Sequence, residues 1–190
     1  MKSGRSFAAI VLVLAAGSSV RAQERIQFTE YSAKFLCGVM KEESGPVRPG
    51  SYDTAINIHN PQLVSTTTFV KKAVFAPREG EDPVRFRYRR DQLRADFAEH
   101  VDCKIIRSLL PSPQNALPFV EGFVVVIVIP SKGIPSDLDV VGVYTVSSLQ
   151  GQDTDLEMLP ATQHVLTFPL ATGNKLRDEM LEDAKSNPDK

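Results

Sequence analysis

The chain has 190 residues, 22 basic and 23 acidic, with 42% hydrophobic residues, two cysteines and no tryptophan. A formal charge of −1 excludes the strongly basic surface by which proteins hold nucleic acid. The length suits one domain with a real core and is short for two.

Met1 to Ala22 has the pattern of a secretory signal peptide: Lys2 and Arg5 open it, Phe7 to Ala16 is unbroken apolar sequence, and Val20-Arg21-Ala22 suits a signal peptidase. Cleavage is expected before Gln23. The apolar run spans about 15 Å as a helix, half of a bilayer core, so a retained anchor is not expected. Loss of Lys2, Arg5 and Arg21 leaves 19 basic residues against 23 acidic ones, a formal charge of −4. The expected location is therefore periplasmic or secreted, with no transmembrane segment in the mature chain.

Cys37 and Cys103 are the only cysteines. In an oxidising compartment they are expected to pair, closing a loop of about 65 residues worth roughly 4 kcal/mol on the chain-entropy view. Two separate buried thiols are the alternative. With no Cys-x-x-Cys pair, redox catalysis is not indicated.

Period-two alternation dominates the mature chain. Tyr31, Ala33, Phe35, Cys37 and Val39 fall on one face of a first strand. Residues 41–50, with Gly45-Pro46 and Pro49-Gly50, predict a loop. Tyr52, Thr54, Ile56 and Ile58 form the inward row of a second strand, with Asp53, Asn57 and His59 outward, until Asn60-Pro61 ends it. A third strand is expected over about 66–76, then a turn at 79–83. Val84, Phe86 and Tyr88 next alternate with Arg85, Arg87 and Arg89, predicting an amphipathic strand with a cationic face. Residues 93–110 fit a helix or a strand; the favoured reading is strand to Val101, then a short helix capped by Asp102 and stopped by Pro111-Ser112-Pro113. Phe123 to Ile129 is a Val/Ile-rich apolar run expected as the central strand, buried on both faces. A turn over 131–137 leads to 138–146, expected as its neighbour. After a polar loop at 150–155, a weak last strand over 158–168 is interrupted by Pro160, and 171–190 read as a flexible or helical tail.

Three segments occur together in order: Tyr31-Ser32-Ala33-Lys34-Phe35-Leu36-Cys37-Gly38, Ala55-Ile56-Asn57-Ile58-His59-Asn60-Pro61 and Asp139-Val140-Val141-Gly142-Val143-Tyr144-Thr145. With Val101-Asp102-Cys103 and Phe119-Val120-Glu121-Gly122-Phe123, the chain resembles a family of uncharacterised secreted bacterial β-sandwich proteins over about residues 28–158. Its layout is also loosely similar to the small β-sandwich of the sensory rhodopsin transducer family, which is tetrameric and binds other proteins. The signal peptide and cysteine pair depart from that second family. The resemblance implies a binding or assembly role and assigns no site residue.

His59, His100 and His164 stand at no metal-ligand spacing, so neither a metal nor a cofactor is expected. His59-Asn60-Pro61 reads as a strand end whose amide satisfies loop backbone, or as a polar site in which Asn57 and His59 face a ligand. Asp153, Asp155 and Glu157 lack the spacing of a dedicated calcium loop, and Asp137 and Asp139 suit edge protection. Arg85, Arg87 and Arg89 project at ~6.8 Å intervals, a spacing able to track anionic groups, or form a solvated edge. Phosphate loops, nucleophile elbows and metalloprotease helices are absent.

The expectation is an all-β, Ig-like or jelly-roll-like antiparallel sandwich of seven or eight strands with one short helix, occupying 23–170. Its leading function is non-catalytic binding or assembly with an envelope protein, possible homo-oligomerisation included. A small-ligand or anionic-glycan binder using the arginine face comes second, and an enzyme of unknown class third.

Overall fold

A computed structural model of the chain describes residues 24–41, 47–76, 86–131, 137–149 and 154–186. The leader expected over 1–22, the turn at 79–83, Arg85 and Asp153 lie outside them, as do parts of the loops at 41–50, 131–137 and 150–155. Within them the chain forms an antiparallel all-β, sandwich-like fold: β1 (Arg25–Met40), β2 (Gly50–His59), β3 (Thr67–Phe75), β4 (Arg89–Leu93), β5 (Ala98–Asp102), β6 (Phe119–Val128), β7 (Asp139–Ser147), β8 (Thr154–Pro160) and β9 (Thr162–Pro169), with α1 (Cys103–Leu109) and α2 (Leu170–Lys185).

The strands are hydrogen-bonded in the order β4-β3-β6-β1-β2-β7-β8, with β9 added to β1 and β5 to β2. β1 is the spine. Residues 29–38 pair with β6 on one edge, while on the other 25–32 pair with β9 and 38–40 with β2. The sheet thus folds into two layers, β4-β3-β6-β1-β9 and β5-β2-β7-β8, joined where β1 meets β2. Gly38 stands at that corner with φ +107°, a conformation costly for any residue with a Cβ.

Alternation decides what lies between the layers. Tyr31, Ala33, Phe35 and Cys37 of β1 meet Ile56 and Ile58 of β2, Phe69 and Ala73 of β3, Val101 of β5 and Val124 of β6 in one buried cluster. Ile106 and Leu109 of α1 plug its end. The Asp102 side chain accepts from the Ile105 amide at 2.8 Å, the N-cap that the sequence predicts. The Cys37–Cys103 disulfide forms as expected and ties β1 to the start of α1 across the layers.

Two expectations change and one alternative is settled. β6 does run centrally and buried, but its neighbours are β1 and β3; residues 138–146 pair with β2 instead. The reason is that both edges of β6 are taken, 119–128 by β1 and 122–128 by β3. The last strand is two strands, because the chain crosses from one layer to the other at Ala161, whose amide donates to Val140 O at 2.9 Å. The tail takes the helical alternative and docks as α2. Phe28, Val70, Val125, Ile127 and Ile129 on the outer side of the first layer form a second cluster with Met180, whose burial contributes about 2 kcal/mol. Gly173 permits this approach, since a Cβ there would strike Ile26.

Candidate functional site

The outer side of the second layer is the surface on which the structure leaves sequence-predicted site residues together. Register sets Asp53, Ala55, Asn57 and His59 of β2 beside Thr145, Val143, Val141 and Asp139 of β7. β8 continues the rows with Leu156 beside Thr145 and Met158 beside Val143, and β5 adds His100 beside Asn57. Leu156 and Met158 are 64% and 65% exposed. Neither helix lies across this face: α2 packs on β1, β3, β4 and β9, and α1 closes the end of the core.

His59 sits at one end of this face between two carboxylates, Nδ1 at 3.1 Å from Asp139 and Nε2 at 3.3 Å from Asp96. A carboxylate only accepts, so both ring nitrogens are best satisfied as N–H donors, in the imidazolium. The hydrogen bond to Asp139, then that to Asp96, raises the His59 pKa above the usual histidine value. Asp96 is placed by the turn between β4 and β5, where it adopts φ 57°. Asn57 Oδ1 lies 3.2 Å from His100 Nδ1, so Asn57 and His59 each hold a neighbour.

Asn60 has the mechanical role foreseen for the strand end. Fully buried, its amide donates to Ser65 O, Leu93 O and Arg94 O at 2.9 to 3.1 Å, and its carbonyl accepts from the Gln62 amide and the Thr67 hydroxyl. This network fixes the turn that carries Asp96, whose amide donates to Asn60 O.

The arginines are distributed differently from the expected row. Residues 86–88 precede the strand, and β4 begins at Arg89. Arg87 is exposed, while Arg89 is half-buried with Nε 3.7 Å from Asp91. Arg89 shares its side of β4 with Asp91 and buried Leu93, whereas Tyr88 packs against the α2 cluster. The first layer has cover on both sides, so from Arg89 onward the charged phase turns toward the other layer, while Arg87 stays exposed ahead of the strand.

A buried cation there was not foreseen. Lys71 of β3 has no exposed side-chain surface; Nζ is 2.8 Å from Asp91 and also pairs with Glu99 of β5. Two carboxylates compensate a charge that burial alone would make costly. Its signal was present: Lys71 falls on the inward phase of β3, between Phe69 and Ala73.

Where β1 lies between its β9 and β2 pairings, side chains replace strand pairing. Thr54 Oγ1 accepts from Leu36 N at 3.0 Å and donates to Leu36 O at 2.9 Å, and the Tyr144 hydroxyl donates to Lys34 O at 2.8 Å. Beside these bridges opens a cleft of about 370 Å³ whose lining includes Leu36, Tyr52, Tyr144, Asp155, Glu157 and Leu159. Burial, then the Glu157 charge, pushes the Tyr144 pKa up. Among the described residues no group of three or more His, Cys, Asp or Glu is placed to hold a metal ion, and no helix is long and apolar enough to cross a membrane.

Compared with protein-family models, curated proteins and solved structures, the chain matches none. The fold and the surface define a class: a disulfide-linked antiparallel β-sandwich-like protein with a helix on one outer face and, among the described residues, nothing across the other.

Proposed function

We propose that this is an exported, non-catalytic module that binds another protein through the outer face of β5-β2-β7-β8. The observation that carries the reading is the uncovered face itself, on which Ala55, Val141, Val143, Leu156 and Met158 form an apolar field bordered by Asn57, His59 and His100. Apolar area rimmed by polar groups is the usual composition of a recognition surface. Export is supported by the leader and by the disulfide, which persists in oxidising compartments. The likeness to the secreted bacterial family and to the transducer sandwich points the same way. An anionic ligand on the arginines is the second reading, with Arg87 exposed and Arg89 already paired with Asp91.

The test is affinity capture of the oxidised chain from envelope and medium fractions, comparing the wild type with Val143→Lys and with a double Arg87→Gln, Arg89→Gln variant. A partner lost only with Val143→Lys supports the reading. A ligand lost only with the arginine variant overturns it in favour of the anionic site, and turnover on a hydrolase panel overturns both.

A further inference from the structure

Among the described residues β8 is paired on one edge only, with β7, and all seven of its residues are exposed. A strand that ends a sheet presents unpaired backbone groups and is a template for another strand unless it is blocked. Its side chains sort by register: Asp155, Glu157 and Leu159 lie beside Val146, Tyr144 and Gly142 on the cleft side, while Leu156 and Met158 lie on the bare outer face. The strand contains two carboxylates and no cation. Lys34, the cation among the cleft residues, stands 3.8 Å from Glu121.

That charge pattern favours a cationic occupant over a second copy centred on Leu156 or Glu157. A second copy added antiparallel about a two-fold at Leu156 sets Asp155 against Glu157, and about Glu157 sets that carboxylate against itself; like charges directly opposite are destabilising. A partner strand with cations at alternate positions meets the opposite situation. Its Lys or Arg side chains face Asp155 and Glu157, and a long cationic side chain reaches the tyrosine-lined cleft, where ring faces favour a cation.

We propose that β8 takes up an extended basic segment of a partner protein by strand addition, with Lys or Arg of that segment on the Asp155, Glu157 and cleft side and its apolar residues beside Leu156 and Met158. Backbone hydrogen bonds supply affinity and alternate side chains supply selectivity, as in other edge-strand recognition. The inference rests on the binding-module reading and names the chemistry of its partner.

The experiment is fluorescence anisotropy with the full oxidised chain and three labelled peptides: alternating Lys-Val, alternating Glu-Val, and the Lys-Val peptide N-methylated at alternate residues. The expected result is saturable binding of the Lys-Val peptide, about tenfold or more weaker for the other two. An Asp155→Lys, Glu157→Lys variant is expected to reverse the preference toward Glu-Val, a gain that misfolding does not produce. No saturable Lys-Val binding, or undiminished affinity of the N-methylated peptide, overturns strand addition. If either occurs while capture remains sensitive to Val143→Lys, strand addition fails and the binding-module reading stands.

Discussion

On the outer side of the first layer, Phe28, Val70, Val125 and Ile127 lie beneath Met180 of α2; on the outer side of the second, Ala55, Val141, Val143 and Met158 lie beneath no described element. The difference begins in the strands. β6 is apolar on both faces, with Val125 and Ile127 directed outward as firmly as Val124 and Val126 inward, so its outer side demands cover. β2 and β7 alternate instead, placing Asp53, Asn57, His59 and Thr145 on the outer side among smaller apolar residues. Such a face remains solvated when free and still offers apolar area to a partner.

Stability measurements separate the two faces. Phe28→Ala is expected to cost about 3–5 kcal/mol in denaturant unfolding, from lost burial and the cavity left under α2. Val143→Lys is expected to stay within about 0.5 kcal/mol of wild type. Equal losses for both would mean that the bare face is covered core.

The next effect concerns the region between the layers. Lys71→Ala takes from Glu99 its buried cation and leaves Asp91 with Arg89 at 3.7 Å, and is expected to cost about 3 kcal/mol in denaturant unfolding. An equal loss for Lys71→Met would assign the cost to the missing charge, and no loss for Lys71→Met would assign it to packing of the lysine stem.

The smallest effect lies at the end of the bare face. His59 is raised above 6.5 by Asp139 and Asp96, so its contribution is complete below about pH 6.5 and fades as pH rises through the raised folded value. The melting-temperature advantage of wild type over His59→Gln is expected to be full on the acid side of about pH 6.5 and to shrink over the interval above it. An advantage that is constant across that interval would remove the charge-based account.

Much of this fold was legible because it is local. The rows Tyr31 to Cys37 and Thr54 to Ile58, the 123–129 run, the Asp102 cap and the cysteine pair each announce themselves within a few residues or by simple count. Strand order was not, since nothing in 138–146 states that β1 and β3 have already taken both edges of β6. α2 was half legible: its apolar content is low, and docking depends on Met180, Ala184 and the close approach at Gly173. At the site, Asn57 and His59 share a face as their spacing requires, whereas Asp96 reaches His59 from a distant turn. The cleft is assembled from β1, β2, β7 and β8, and no short segment encodes it.

The pairing of β1 with β9 sets the order in which a chain made from its N-terminus becomes secure. Arg25 lies opposite Pro169 and Ser32 opposite Thr162, so the first strand to be synthesised waits for nearly the last before that edge is closed. Until then β1 exposes an open, partly apolar strand edge, the kind of segment that pairs with the wrong neighbour. A chain cut short before residue 162 therefore keeps that edge of β1 open, however well its other strands pair.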